Sequence, residues 1–338
     1  MKLKQSDWAM EHLHEHLQAA VDLELWTIPF YMSAMYSIKD RDTDAYQLIR
    51  TIINQEMLHL QCAANMANAF GLSPKITPPV YSGTKIPHLN FALDPSSETE
   101  PYMPYTAEIG PLDLLRVNGM CLVELPEFGT TPAEIVFQTV INEYGTIGAF
   151  YDALRFGACL MKNHIKGGVR QVNFFSAFYR NMPNMTVTES GASGFDQVSL
   201  LIDLITDQGE GQCKKDPTVP KVFQNTADDT EPNDDHFVKF NQIKDAGGQD
   251  GNKLPETYTT KPPCDYTPED IQLQKILVKQ FGQLTTLLEE LFKGENPDNF
   301  FPIMASVGGA IRNCWEHGVT PQFSNSELSE AVTGSNQR

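Results

Sequence analysis

Glu56 and His59 constrain this chain most, because they lie on the apolar side of a predicted helix. From Tyr46 to Phe70, apolar side chains recur at helical spacing at Ile49, Ile52, Ile53, Leu60, Ala63, Met66, Ala67 and Phe70. Glu56 and His59 fall within this stripe three residues apart, so they point the same way and can hold one ion together. A buried acid and a buried imidazole are costly unless they are paired or bind metal. The stretch therefore predicts a paired polar contact or part of a metal site.

Two further helical stretches carry an acid on their apolar side. Asp7 to Ile38 reads as a helix that includes Glu24 on its apolar face and contains Pro29, which should kink or loosen the next turn. A third stretch places Glu143 between Val140 and Ile147. One such acid is readily explained by an ordinary buried partner. Three of them, one followed by a histidine at ligand spacing, favour a carboxylate metal site over separate polar contacts.

Two residues later in the chain are weaker candidates for the same site. Glu210 follows a predicted helix over 195–208, and the spacing puts it to one side of the apolar stripe, as expected of a surface acid. His236 opens a short helical face that contains Phe240 and Ile243. The early histidines His12, His14 and His16 alternate with acids and are interpreted as a solvated side of the first helix.

Composition excludes several classes of partner. The 338 residues carry a formal net charge of -18, which argues against binding to nucleic acid or to an anionic membrane. Six cysteines are scattered without C-x-x-C spacing, which favours free thiols in a reducing cytosol. No apolar run is long enough to span a bilayer, and we expect a cytoplasmic protein.

Proline spacing divides the chain. Prolines recur every few residues from Ser73 to about Pro111, so no long helix is expected there, and the segment is predicted to be an ordered excursion over the helices or a lid. Short and long helices are predicted over 111–122, 267–294 and 301–315. We expect one helical domain over 1–250 with a proline-rich insertion at about 72–130, and a helical extension over 251–338 packed on it.

Four sequence blocks together resemble a known family. They are ELWTIPFY at 24–31, QEMLHL at 55–60 followed by Ala64-Asn65, GTIGAFY at 145–151, and QGEG at 208–211 followed by HFVKF at 236–240. In this order they resemble the ferritin-like family that includes the iminophenyl-pyruvate dimer synthases. The resemblance implies an all-α fold, a ferritin-like four-helix bundle with long insertions and extra C-terminal helices, and a dinuclear metal site.

The resemblance also implies a ligand set. Glu24, Glu56 and His59 match the first half-site, and Glu210 and His236 match the second. An acidic loop separates Glu210 from His236, which leaves open whether one helix carries both. Glu143 is the choice for the remaining bridging acid.

The fallback for that bridging acid is Asp152, because some relatives place an acid nearer the tyrosine, where this chain has Ala149. Tyr31 and Tyr151 lie on the same faces as the ligands and are candidate catalytic residues that could donate a hydrogen bond or an electron. An ordinary core position is the simpler interpretation of both tyrosines.

The expected chemistry follows from these ligands. Carboxylates and imidazoles suit two Fe ions, with Mn as the alternative metal, and four acids balance two divalent ions in a site that can react with dioxygen. We therefore expect an O2-dependent oxidase or oxygenase that oxidises or couples a small, amino-acid-derived substrate in secondary metabolism, with an external electron donor as a possible partner. A ferroxidase without an organic substrate and a metal-free helical interaction protein are the alternatives.

Overall fold

A computed structural model shows eight α-helices within the part of the chain that it describes. The described residues are 7–93, 99–126, 144–175, 179, 182, 184–209, 229, 231 and 233–324, with the backbone of 2–3 and 137–138. The helices are α1 (Met10–Ser37), α2 (Asp44–Ala69), α3 (Leu114–Val123), α4 (Ile147–Leu160), α5 (Gly191–Gln208), α6 (His236–Gly247), α7 (Pro268–Phe292) and α8 (Phe300–Glu316). The all-α prediction is confirmed. A short antiparallel pair, β1 (Lys2–Leu3) with β2 (Phe137–Gln138), is the sole sheet of the described chain.

The helices α1 and α2 form the central pair. The short connection over 38–43 turns the chain back on itself, and the two apolar stripes pack against each other along the length of the helices. A hydrogen bond of 2.6 Å from Thr27 to Glu56 joins their midpoints. Pro29 lies within α1, which continues to Ser37. The predicted bounds of both helices are correct to within about three residues.

Four shorter helices complete the bundle around this pair. Helix α4 packs on α1, α5 and α6 pack on α2, and α3 packs on α6. The start of α6 is tied to the end of α5, because the backbone N–H of Phe237 donates to the carbonyl of Gly209 at 3.3 Å. The contact therefore brings together Gly209 and His236, which the 26 residues 210–235 separate in the sequence. His236 and the C-terminal end of α5 are brought together by this contact.

The start of α4 differs from the prediction. The predicted helical stripe ran from Val140 through Ile147, but the helix begins at Ile147 and the described residues 144–146 are not helical. Thr146 caps it, since its side chain accepts a hydrogen bond from the N–H of Ala149. Gly145 precedes this cap, and a capping threonine competes with helix continuation towards the N-terminus.

The proline-rich segment crosses α1. Its described residues, 73–93 and 99–113, contain a single 3-10 turn, Glu100–Tyr102, and no α-helix. Tyr81 donates to the carbonyl of Trp26 at 2.7 Å, and the indole of Trp26 donates to the carbonyl of Val80 at 3.4 Å. These contacts fasten residues 80 and 81 of the segment to α1.

The C-terminal helices α7 and α8 form a hairpin, in which α8 packs on α1 and α7 packs on α2. Helix α7 begins with a capping box in which Thr267 and Asp270 bind each other's backbone N–H groups. The indole of Trp315 on α8 donates to the carbonyl of Ser33 on α1 at 2.9 Å, and both groups are buried. No helix within the described ranges has the length and apolar character needed to cross a membrane.

Candidate metal centre

The helices α1 and α2 bring three predicted ligands together. Glu24, Glu56 and His59 are buried, each with at most 2% of its surface exposed. The Nδ1 atom of His59 lies 3.5 Å from Glu24 Oε2 and 3.5 Å from Glu56 Oε1. These contacts join one acid from α1 to the Glu-x-x-His pair of α2, as the helical spacing predicts.

Helix α6 supplies a second imidazole. His236 is its first residue and is fully buried, while Asp235 caps the helix by accepting a hydrogen bond from the N–H of Val238 at 2.7 Å. The His236 Nδ1 atom lies 2.9 Å from Glu56 Oε1, and its ring stacks on the His59 ring at a centroid distance of 5.4 Å. Glu56 therefore lies between the two histidines.

Glu124, which was not among the predicted ligands, completes the described cluster. It follows the last residue of α3, is 3% exposed, and its Oε2 lies 3.6 Å from His236 Nδ1. The two histidines of the cluster therefore have equivalent carboxylate neighbours. Glu24 faces His59, Glu124 faces His236, and Glu56 lies within 3.5 Å of both imidazoles.

A hydroxyl group holds the outer oxygen of each carboxylate. Tyr151 donates to Glu24 Oε1, Thr27 donates to Glu56 Oε2 at 2.6 Å, and Tyr31 donates to Glu124 Oε1 at 2.6 Å. The other oxygen of each acid faces an imidazole. These hydrogen bonds orient the carboxylates, which is how neighbours of metal ligands fix ligand geometry.

An amide oxygen holds the outer nitrogen of each imidazole. His59 Nε2 lies 2.8 Å from Gln208 Oε1, and His236 Nε2 lies 2.9 Å from Gln55 Oε1. Because an amide oxygen only accepts, each Nε2 carries the proton. The Nδ1 lone pair of the neutral imidazole is then directed at the carboxylates, which is the tautomer that a metal ligand requires.

The cluster fits a divalent cation on two grounds. His236 Nδ1 is buried and makes no hydrogen bond within the described residues, although Glu56 Oε1 is 2.9 Å away. The partners of the three carboxylates are hydroxyl groups and histidines, and no lysine or arginine of the described chain forms an ion pair with them. One ligand atom from each of Glu56, His59 and His236 lies within 4.8 Å of the others. Oxygen and imidazole donors of this kind suit Fe or Mn.

The pKa values of the cluster reflect the same excess of negative charge. Burial and the charge of Glu56 raise the pKa of Glu24 to about 7. Burial would also raise the pKa of Glu56, but the imidazoles of His236 and His59 hold it below its ordinary value. Burial would lower the pKa of His59, but Glu24 and Glu56 outweigh it and raise that pKa to about 10. A bound cation would compensate the negative charge of these carboxylates.

The open space beside the cluster is small. Within the described residues it measures about 10 Å³, and its walls beyond the cluster residues are Thr27, Ile147, Tyr151, Ile205, Thr206 and Gly209. This volume is close to the minimum for a single water molecule. A Cβ atom at Gly209 would lie 3.1 Å from Glu124 Oε2, so glycine leaves room for that carboxylate.

The remaining predicted residues have mixed outcomes. Glu143 and Glu210 lie outside the described residues, although Gly209 beside Glu210 borders the cluster. Asp152 is exposed on α4, while its neighbour Tyr151 is buried and bonds Glu24. The interpretation of Tyr31 and Tyr151 as ordinary core tyrosines is incomplete, because both hydroxyls hold cluster carboxylates.

The interpretation of the early histidines as a solvated side is wrong for His16. This residue is 1% exposed, and its Nε2 lies 2.7 Å from the Tyr144 hydroxyl. Its Nδ1 lies 2.7 Å from the carbonyl of His12. These contacts satisfy the imidazole as a core residue. His12 and His14 are half-buried.

A sequence signal for Glu124 exists. Val117, Cys121 and Glu124 follow one another at intervals of four and three residues, which places Glu124 on the buried side of α3. The helix was predicted to stop at Leu122, and the acid was therefore not assigned to its face. Extending the apolar stripe by one turn would have identified it.

Comparison with known proteins agrees with this architecture. A family model described as ferritin-like matches residues 17–245. The chain is also similar to a ferritin-like protein from Caulobacter vibrioides, whose crystal structure was determined at 1.95 Å resolution. The two are 40% identical with a TM-score of 0.79, over 94% of this chain and 99% of that one. No curated protein matches the chain significantly.

The matched range contains every residue of the described cluster, from Glu24 on α1 to His236 on α6. It also contains α1 from Leu17 onwards, all of α2 to α5, and α6 as far as Asp245. The chain belongs to the ferritin-like family.

Proposed function

We propose that the protein is a non-heme dinuclear iron or manganese oxidoreductase that uses dioxygen to oxidise or couple a small, amino-acid-derived organic substrate. One observation carries this proposal. Each of the five buried acids and imidazoles has one polar atom held by a neutral neighbour, and its other polar atom faces another member of the cluster. Ligands that are oriented before binding are typical of centres whose metals stay in place during turnover.

The five side chains divide naturally between two ions. Glu24 and His59 would hold one ion, Glu124 and His236 would hold the other, and Glu56 would contact both. Two divalent ions bring four positive charges against three described carboxylates, and Glu210 is our choice for a fourth acid. When bound, the ions would supply two electrons to dioxygen, and the organic substrate or an external donor would supply the remaining two for reduction to water.

The residues around the cluster prepare it for this chemistry. Burial and the charge of Glu124 raise the pKa of Tyr31 well above its ordinary value, so its hydroxyl keeps its proton on the hydrogen bond to Glu124. Ile147 and Ile205 line the small space and exclude bulk water. A dry, enclosed space strengthens every charge interaction within it.

An iron-oxidising function without an organic substrate is the second candidate. The space of about 10 Å³ favours it, because dioxygen or water fits there and an organic molecule does not. The walls of this space favour the first candidate, since the described residues beyond the ligands are apolar or carry hydroxyl groups. Iron ions that enter and leave repeatedly need acidic side chains along their path to the cluster, because a charged ion is costly to desolvate. Neutral reactants such as dioxygen need no such side chains.

Metal analysis and dioxygen uptake test the proposal together. We expect about two Fe or Mn ions per chain in the purified protein, and loss of both in the Glu56→Ala, His59→Ala double variant. The matched control is Glu11→Ala with His14→Ala, which removes a glutamate and a histidine at the same spacing from the start of α1. This control should keep its metal.

The substrate question is decided by dioxygen uptake. Protein loaded anaerobically with Fe(II) is first exposed to dioxygen alone, and dioxygen uptake is recorded. The experiment is then repeated in the presence of aromatic amino acids, or of the imino acids that an amino-acid oxidase makes from them. Continuous uptake that depends on one of these compounds supports the organic oxidase. Uptake that ends when the added Fe(II) is oxidised, with every compound, supports the iron-oxidising function. Absence of metal in both proteins even after loading contradicts either function.

A further inference from the structure

A second cavity lies between four helices and is separate from the metal cluster. It measures about 270 Å³, and its described walls come from α1, α2, α7 and α8, with Phe175 from the segment between α4 and α5. Leu25, Met57 and Leu60 are among these walls, and each directly follows a cluster residue in the chain. Neighbouring residues on a helix point about 100° apart, so α1 and α2 present the cluster residues on one face and these walls on another.

The cavity is large for the interior of a folded protein. Protein interiors are packed so closely that few voids exceed a water molecule, and an empty void costs stability. An engineered apolar cavity of about 150 Å³ stays dry and binds benzene. A cavity of about 270 Å³ therefore has room for a molecule of two fused rings. Its size indicates a binding site and not a packing defect.

Methionines form much of the apolar wall of this cavity. They are Met32, Met35, Met57 and Met304. Met32, Met57 and Met304 are only half-buried, although they lie between helices. Methionine side chains are flexible, adapt to the shape of a bound group, and make favourable sulfur contacts with aromatic rings. These walls therefore favour an aromatic ligand.

Aromatic side chains connect the cavity to the protein surface. Phe175 and Phe300 are walls of the cavity, and their ring centroids lie 5.8 Å apart. Phe174 lies against Phe300 at 4.9 Å and stacks on Phe301 at 4.8 Å, and Phe301 is 47% exposed. Aromatic rings at such separations attract one another in stacked or edge-to-face arrangements. The group therefore offers an aromatic ligand favourable contacts from the surface to the cavity wall.

The walls offer no free charge to a ligand. Arg50 is the sole charged residue among the described walls, and it already has a partner within the protein. Tyr36 and Asn54 are polar but neutral, and burial raises the pKa of Tyr36 above its ordinary value. An ion bound among these residues would lose its hydration without gaining a counter-charge, which is costly. The ligand is therefore expected to be neutral.

We propose that this cavity binds a neutral aromatic molecule the size of two fused rings, held by the methionines and phenylalanines between α1, α2 and the α7–α8 hairpin. Pockets that bind small organic molecules are typically apolar, with a few polar groups that fix the orientation of the ligand. Tyr36 and Asn54 are such groups in the wall. The site shares no residue with the metal cluster, and its occupancy does not depend on the proposed oxidase function.

Titration of the purified protein with 2-naphthol tests this assignment. The matched probes are 2-naphthoate as the anion, 2-naphthylmethylammonium as the cation, and octan-1-ol as an aliphatic alcohol of similar hydrophobicity. We expect one 2-naphthol bound per chain, at least tenfold weaker binding of the two ions, and weaker binding of octan-1-ol. Absence of saturable binding of 2-naphthol overturns the proposal, and so does equal binding of any of the other three probes.

Nuclear magnetic resonance of the methionine methyl groups locates the bound probe. The ring current of 2-naphthol should shift the signals of Met32, Met57 and Met304. The signal of Met10, a half-buried methionine outside the cavity, should not move. Single methionine-to-leucine variants assign the signals. Binding that leaves the three cavity methionines unshifted would place the probe elsewhere and overturn the proposal.

A variant that fills the cavity tests the site by substitution. Met304→Trp should occupy part of the space and weaken binding of 2-naphthol at least tenfold. Met10→Trp, the same change at a half-buried position outside the cavity, should leave binding unchanged. Circular dichroism and thermal melting confirm that both variants are folded. Equal affinity of the wild type and folded Met304→Trp would contradict the assignment.

Discussion

Tyr31 donates a hydrogen bond of 2.6 Å to Glu124, a residue 93 positions further along the chain. Both groups are buried, and the second oxygen of Glu124 faces His236. This single contact joins α1 to the end of α3 and fixes the carboxylate that faces His236. Substituting either Tyr31 or Glu124 breaks this hydrogen bond, and each substitution has a measurable consequence.

Removing the hydroxyl of Tyr31 tests the contact from the donor. In Tyr31→Phe, Glu124 Oε1 loses its partner in a buried place, and we expect a loss of about 1–3 kcal/mol in the free energy of unfolding of the metal-free protein. Metal affinity should fall about 10- to 100-fold, because the carboxylate is no longer oriented. Chemical denaturation and competition with a chelator measure the two effects. Tyr266→Phe, far along the chain on the C-terminal side, is the control and should keep wild-type metal affinity.

Removing the carboxylate of Glu124 tests the contact from the acceptor. We expect Glu124→Ala to bind about one metal ion per chain instead of two, because the ion beside His236 loses its own acid while Glu24, His59 and Glu56 keep the other. Elemental analysis measures the stoichiometry. Glu316→Ala, at an exposed acid on α8, should bind as wild type does. Full occupancy in Glu124→Ala would show that this acid is not a ligand.

The long periodic helices were predictable because their stripes are local patterns. Glu24, Glu56 and His59 could be placed from helical spacing alone, since each lies inside a long helix whose buried face is clear from the sequence. His236 was identified as a candidate on a short helical face, and the structure brings it to Glu56. Its proximity to the cluster depends on the contact between Gly209 and Phe237. Because 26 residues separate Gly209 from His236 in the sequence, no local sequence pattern indicates this contact.

Helix ends and tertiary contacts account for what was not predicted. Glu124 is the capping residue just beyond α3, where periodicity is weakest and a difference of one or two residues decides whether the acid belongs to the face. His16 was taken as solvated because its immediate neighbours are polar. Its burial is caused by Trp8, eight residues earlier, and by Tyr144 and Phe150, which approach from a distant part of the chain. No window of local sequence contains His16 together with Tyr144 or Phe150.

The buried His16 should make stability depend on pH. Burial lowers its pKa to about 4 from the ordinary 6.5, although the hydrogen bond with the His12 carbonyl acts to raise it. The unfolded chain therefore takes up a proton at higher pH than the folded protein does. The contribution of His16 to stability is fully present above pH 6.5 and is lost as the pH falls towards 4, by about 3 kcal/mol in total.

Substitution isolates this effect from the titration of the metal cluster. Denaturation of wild type and His16→Gln is compared between pH 7 and pH 4.5, since glutamine is polar but does not titrate. We expect wild type to lose more stability than His16→Gln over this range. His164→Gln, at an exposed position, should follow the wild-type curve. Parallel curves for wild type and His16→Gln would show that His16 is not the cause.

A buried ion pair next to the cluster gives the last prediction. Lys239 Nζ lies 2.9 Å from Asp229 Oδ2, and the two side chains are 0% and 1% exposed. Lys239 is on α6, three residues after the cluster residue His236, and Asp229 belongs to the acidic stretch that precedes the helix. The pair therefore fastens Asp229 to the helix that positions His236.

Breaking the pair from one side should cost more than removing it altogether. Lys239→Met leaves Asp229 buried without its cation, and we expect a loss of about 3–5 kcal/mol in the free energy of unfolding. The double variant Lys239→Met, Asp229→Leu should recover most of that loss, because no uncompensated charge is left. Chemical denaturation of the wild type, both single variants and the double variant measures the coupling. Additive losses in the double variant would mean that the two groups do not stabilise each other.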